Sequence, residues 1–555
     1  MKRKFVTVET FNNSHLLSSL EKSSGLLHLI VFLTHLDVRK TSKCSRYLRK
    51  RLIPWLTTHT VYKFPKVCTD VKPLHMTFLE KSKGFGKFVP QLISAFVHFD
   101  ANFKSKMWKQ VQTLGLYVNQ SKISLPPNLK RLSLGSKFNS PIDVLPDSLK
   151  FLQVGRMFQY PIVINSCLES LIIVSPRYNF PLGPLPPSLK YLQLSGGFNQ
   201  ALYDHTGKQQ LPNNLEILKL PGYFDQTLGI LPNSLLQLTI GDRFNQNLGI
   251  LPLNLHTLNL GKNYSQTIDA FPNNLQTLVI GEKMIVTAIF PDSLKMLTIN
   301  CLHKVPNLPP FLECLKIGRL YKHKLNVLPQ SLTDLDVYNG KDIVNLPNNL
   351  KTLLVFYEMS DCKLPDSLIK LHLGGKPCQN LVLPPNLRFL YLGRFYRLLK
   401  VQHIDVARVI LPKTLCILNA YGLNVPIGRL PENLTVLRLG NEFNYPLGVL
   451  PPKLRILSIG YEFNQPIQLP NSLTELKLGD NFNHPIILPT RLESLEIGYE
   501  FNQSLLTIPK SLKNLKLGTC FIAGLGTLPK NLKTLKLGRD FDTSGLLDAH
   551  KKMLK

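Results

Sequence analysis

Acidic residues and tryptophan are scarce in this 555-residue chain: 35 Asp and Glu face 66 Lys and Arg, for a formal charge of +31, and there are two tryptophans. So one-sided a charge admits nucleic acid, anionic membrane or acidic protein as partners, and its distribution decides more than its sum. Residues 1–124 hold 21 Lys and Arg against 6 acids, close to half of the excess in under a quarter of the chain. Long apolar runs are lacking as well. The longest, Leu26 to Leu36, contains His28, Thr34 and His35 and is too short to span a bilayer. It also lies too far inside, with no small-residue cleavage site behind it, to read as a secretory signal. No membrane partner is expected.

Nine cysteines are present, at Cys44, Cys68, Cys167, Cys301, Cys314, Cys362, Cys378, Cys416 and Cys520, with no CxxC pair among them. An odd, scattered set predicts reduced core thiols in a cytoplasmic protein, not a disulfide framework or a metal site. Catalytic signatures are missing too: no HExxH, GxSxG, phosphate-binding loop or dinucleotide fingerprint stands in a suitable strand and helix context. His303, His323 and His484 are isolated, without a second ligand at helical spacing. The expectation is a non-enzymatic protein with no cofactor, no catalytic residue and no metal.

What the chain has in abundance is one short unit, seen clearly at Leu450 to Gln468 as LPPKLRILSIGYEFNQPIQ. Its proline recurs from Pro126 to Pro529 with a period of roughly 18 to 20 residues, and a degenerate copy at Ile164 to Val174 brings the array to about 21 units. Two steps are longer, Pro186 to Pro212 and Pro384 to Pro412, and carry insertions. Within the unit Leu454, Leu457 and Ile459 follow an LxxLxL spacing. Leu457 and Ile459 therefore share one face of a short strand, while Ile456 and Ser458 face the other way. The LPxxL segment is expected to be extended, because proline fixes its own φ and disfavours helix before it. So short a period leaves no room for a crossover helix. The fold class follows: mainly β, a solenoid with a long parallel sheet in which each leucine layer covers the next.

The string LPxSLxxLxLGxxFNxPI resembles the FNIP repeat, a relative of the leucine-rich repeat known from social amoebae and giant amoeba viruses. The resemblance covers residues 125–542. Phe138, Phe198, Phe244, Phe443, Phe463, Phe482 and Phe501 are expected to stack as an aromatic spine. Beside them Asn139, Asn199, Asn245, Asn444, Asn464, Asn483 and Asn502 recur once per repeat, where an amide can satisfy backbone groups in a turn.

Ahead of the repeats, residues 1–22 read as a flexible basic arm and residues 23–66 as a small helical domain. The segment Phe32 to Leu52, FLTHLDVRKTSKCSRYLRKRL, resembles the second half of an F-box, with Leu33, Asp37, Val38, Ser42 and Leu48 in the places that bind the adaptor. Asp37 is a plausible N-cap there. The usual Leu-Pro opening before Leu26 is absent. Residues 67–124 are expected to be a linker and solenoid cap, with Val111, Leu114 and Leu116 already showing the repeat spacing. Residues 543–555 are expected to close the other end, Thr543 or Ser544 capping a short helix through Leu554.

The middle of the array departs from the pattern. From Gly281 to Ala420 the Phe-Asn pair is absent, and the glycine after the strand becomes Tyr338, Phe356 and Tyr421. At the centre of the outward face stand Asp336, Leu354, His372 and Tyr391, with Phe389 one alternate position before Tyr391. Tyr338, Phe356, His372, Phe389, Tyr391 and Tyr421 are the candidate partner-binding patch, since large aromatics on an open sheet face suit that role. An F-box joined to a repeat array implies, by resemblance, the substrate-recognition adaptor of a Skp/cullin ubiquitin ligase, with a Skp-type protein and a protein substrate as partners. The alternatives are a repeat scaffold without a ligase and a basic nucleic-acid binder, for which Lys477, Lys516 and Lys536 would form a row broken by Glu496.

Overall fold

A computed structural model describes residues 94–97, 111–116, 125–393 and 410–554, apart from 143, 205, 207, 209–210, 325–326, 342, 344, 360–361, 376–380, 540 and 552. The five F-box-like positions, Leu33, Asp37, Val38, Ser42 and Leu48, lie outside the described residues.

Each repeat folds the same way for local reasons. The amide of the second leucine in LPxSL donates to the proline carbonyl three residues back, as Leu454 does to Pro451 at 3.1 Å. This makes the segment a β-turn and not the extended stretch expected. Proline sets the entry angle, and the bond closes the turn. A strand of three or four residues follows, alternating half-buried and buried, as in Thr352–Val355. Its inward leucines enter the core because a period of two sends alternate side chains to one face. Glycine then ends most strands: a Cβ at Gly460 would overlap the Asn441 backbone, so the close approach of successive repeats excludes a side chain there.

The chain divides into two compact parts, residues 1–266 and 267–555. In the first, parallel pairing runs from Ser94–Val97 through Thr113–Leu116 to Thr257–Asn259. A layer at Ser94–Val97 thus precedes the Val111–Leu116 repeat, one layer earlier than the spacing suggested. The insertion after Pro186 brings Tyr203–Asp204 beside Pro184–Leu185, and the two pair as a second small sheet. In the second part, parallel strands run from Thr277–Ile280 to Thr534–Lys536, each paired in register with the next. Only one helical turn closes this part, Asp548–Lys551, in place of the longer helix expected. The turn ahead of it is held by Asp542, which accepts from the Ser544 amide at 2.8 Å.

Three side-chain ladders tie the layers together. The aromatic spine runs through Phe138, Phe158, Tyr178, Phe198, Phe224, Phe244 and Tyr264, with centroids 6.1 to 6.3 Å apart. In the second part it runs from Phe443 to Phe541, at 5.4 to 6.2 Å. Tyr178 and Tyr264 stand where the motif has phenylalanine. Burial pushes both phenols up to about 12, with the backbone of Ile162 and of Leu248, respectively, opposing the shift. The asparagine ladder is a chain of hydrogen bonds between repeats: the Asn444 side-chain carbonyl accepts from the Asn464 amide, Asn464 from Asn483, and Asn483 from Asn502, at 2.9 to 3.1 Å. A third ladder went unread in the sequence. The serine of LPxSL, for example Ser148, Ser234 or Ser511, stands 2.6 to 2.9 Å from two carbonyls of the preceding repeat and shares its proton between them.

Candidate functional site

The degenerate repeats of the second part keep the sheet and lose the spine. Strands Asp334–Val337, Thr352–Val355, Lys370–Leu373, Phe389–Leu392 and Ile417–Ala420 pair in register, so that Asp336, Leu354, His372, Tyr391 and Asn419 form one outward row. Leu335, Leu353, Leu371, Leu390 and Leu418 form the buried row behind it. The expected register is therefore correct, and it places Phe389 and Tyr391 on the open face, both half-buried.

Ring contacts sort the six expected patch residues. Phe356, 38 % exposed, packs edge-on against His372 with centroids 5.6 Å apart, and His372 packs in turn against Tyr391 at 6.0 Å. His372 is a correction to the exposed row expected, because the two rings cover it and it is buried. Burial pushes its imidazole below 6.5; a hydrogen bond with the Gly393 backbone opposes the shift, and the Lys370 charge adds to it. Lys370 also reaches over the Tyr391 ring, 5.8 Å from its centroid, and Arg388 lies 5.9 Å from that of Phe389. Tyr338 belongs to a different pair: it stacks on Tyr357 at 6.3 Å with the planes 4° apart. Tyr421 is half-buried beyond the row, its backbone against Gly393.

Beside Tyr338 the broken spine leaves a cleft of ≈ 590 Å³. Tyr321, Tyr338, Tyr357 and Ile343 line it together with Arg319, Lys322 and His323. Sequence reasoning missed Tyr357, Arg319 and Lys322. The available signal was the turn Gly318 to Lys324, where Tyr321 and Lys322 stand in the places of the Phe-Asn pair and Arg319 and Lys324 flank them. On the sheet face nearby, Asp336 lies opposite Lys316. Half-burial pushes its carboxyl up, and the Lys316 charge pulls it back.

The lysine row of the nucleic-acid reading is partly neutralised. Glu496 receives Lys477 at 3.0 Å and Lys516 at 2.8 Å, and these bonds and charges hold its carboxyl below the usual value against the effect of burial. Among the described residues no group of three His, Cys, Asp or Glu is placed to hold a metal ion. No helix among them is long and apolar enough to cross a membrane.

Parallel layers of short strands, one per LPxSL unit and stacked on leucine, define a leucine-rich-repeat-like solenoid. More particularly, the FNIP Repeat family model matches residues 119–157, 424–462, 446–481, 463–500 and 482–520. Among solved structures it is similar to CroV588, described as a novel circular LRR protein, with 29 % identity, a TM-score of 0.57, and coverage of 80 % of this chain and 77 % of that one. It is similar also to YopM from Yersinia enterocolitica WA-314, at 22 % identity and a TM-score of 0.41 over 77 % of this chain and 91 % of that one. No curated protein matches it.

Proposed function

We propose that the chain is a protein-recognition module whose repeats hold a protein substrate on the open sheet face of the degenerate middle. The carrying observation is the contiguous cluster Phe356, His372, Tyr391 and Phe389. Single rings stand at the Phe389 position elsewhere, Phe151 and Tyr191, but the regular repeats present small or polar groups at the Tyr391 position, such as Asn259 or Ser458, and do not gather such a cluster. Rings held on a rigid sheet lose little freedom on binding and remove much apolar area from water, as interface anchors do. No reacting group is required of the chain, since an adaptor leaves catalysis to other subunits.

The finer assignment is the substrate-recognition adaptor of a Skp/cullin-type ubiquitin ligase acting in the cytoplasm. Its support is the F-box resemblance of Phe32 to Leu52, joined to a repeat array. The test is affinity purification from amoebal lysate with the full chain and with a chain lacking residues 1–70. Recovery of a Skp-type protein by the full chain alone is the expected result. Equal recovery by both, or by neither, would remove the ligase link and leave a repeat scaffold.

A further inference from the structure

Where the aromatic spine fails, the fold has a hole with a particular chemistry. Regular repeats fill the turn after the strand with a fully buried ring, such as Phe463 or Phe482. In the Tyr338 repeat Gly340 and Ile343 stand in that turn instead, and the space beside Tyr321 is the cleft. Ile317 and Val337 supply apolar wall, and the stacked pair Tyr338 and Tyr357 supplies ring surface. Tyr357 is 45 % exposed, so the stack presents ring surface to solvent.

The rim is basic. Arg319 and Lys322 line the cleft, Lys324 stands on the same turn and Lys304 on the turn of the preceding repeat, and all four are exposed. None of the four forms an ion pair with a described residue, although lysines elsewhere on the sheet find carboxylates one layer away, as Lys295 finds Glu313 at 3.1 Å. Nearby, Lys341 pairs with Glu358 at 3.5 Å. Among the described residues the cleft wall contains no acid.

We propose that this cleft takes an acidic peptide segment of the protein partner, carboxylates against Arg319 and Lys322 and an aromatic or apolar side chain against the Tyr338–Tyr357 stack. The proposal rests on the protein-recognition reading above and names the chemistry of its partner. An acidic peptide fits better than a nucleic-acid strand because the positive charge is local. A phosphate backbone continuing over the adjoining sheet would run past Asp334, Asp336 and Glu358, whereas a peptide can confine its acids to one short stretch. Opposite charges across a rim chiefly set encounter and register, while the buried side chain supplies the hold.

The experiment measures binding of a labelled short random copolymer of glutamate and tyrosine to the full chain by fluorescence anisotropy, with hydrogen exchange locating the protected amides. Protection over residues 317–323 and 337–343 is expected, with an affinity loss of about tenfold or more in Arg319→Glu with Lys322→Glu. The control, Lys530→Glu with Lys533→Glu at a remote turn, should bind as the parent does. Both pairs are exposed, so melting should be unchanged and loss of fold should not imitate loss of binding. Full affinity in the first variant, or protection confined to other segments such as the basic residues 1–124, would overturn the proposal. So would an oligothymidylate that competes for the cleft and depends on the same two residues, since the site would then be one for nucleic acid. If the copolymer fails while Phe389→Ala with Tyr391→Ala still releases a protein partner, recognition by the sheet face stands and the cleft assignment alone falls.

Discussion

Leu457 shows what a single residue contributes to this architecture. It is fully buried, with Leu437 opposite on one side and Leu476 on the other, so its side chain is covered by the layers above and below. Leu457→Asp would bring a carboxylate into that stack without a partner. A cost of about 4 kcal/mol or more is expected, read as a large fall in the melting temperature. A variant that melts with the parent would place Leu457 on the wrong face. His372 makes the opposite case, a titratable group whose charging is opposed by burial between rings. Its folded pKa is lowered by burial, so below the unfolded value of 6.5 the unfolded chain binds a proton that the folded chain resists. Stability is present above that value and is lost as pH falls through the window beneath it. Between about pH 7 and about pH 5 the parent should therefore lose more melting temperature than His372→Phe, which keeps a ring between Phe356 and Tyr391. Parallel losses would assign the pH response to other groups.

At the scale of the repeat, turn and strand answer to different demands. The strand needs alternation only, which Asp334–Val337 and Phe389–Leu392 satisfy as well as Ile456–Ser458 does. The turn needs a ring, an amide acceptor and, in most repeats, a glycine, and it can lose these while the sheet continues. This uncoupling lets the middle repeats carry Phe389 and Tyr391 outward without disturbing Leu390 and Leu392 behind them, which stay buried. Phe389→Ala with Tyr391→Ala should leave the melting temperature nearly unchanged, while weakening capture of the protein partner roughly thirtyfold, equivalent to about 2 kcal/mol. Retained capture would remove the patch from recognition, and a lost fold would show that the two rings belong to the core.

For the molecule as a whole, repeats communicate only with their neighbours, so the adaptor-binding segment proposed ahead of the array is expected to fold apart from them. Leu33→Ala with Val38→Ala should therefore abolish recovery of a Skp-type protein and leave the circular dichroism and melting of the repeats as they were. Undiminished recovery would mean that these two positions do not make the adaptor contact. The charge of +31 belongs to this scale as well. With Lys477 and Lys516 both held by Glu496, the lysine row in the repeats is a weaker polyanion track than its composition suggests.

The repeat period and the LxxLxL spacing by themselves determined the fold and the register, because each strand pairs with the equivalent residues of the next repeat, and like positions carry like side chains. That is why Leu457, Phe463 and Asn464, and the outward placement of Phe389 and Tyr391, could be read without coordinates. The spine positions Tyr178 and Tyr264 escaped because a tyrosine keeps the ring while breaking the motif. The serine ladder escaped because its acceptors are carbonyls of the preceding repeat, about twenty residues back. Only the tertiary structure decided that His372 is covered, that Tyr338 turns to Tyr357 and not to Phe356, and that Arg319 and Lys322 border a cleft. Alternation states which side of a strand a residue leaves from, but burial depends on the reach of side chains from two neighbouring strands, and in a turn that has lost its ring no periodicity sets their direction.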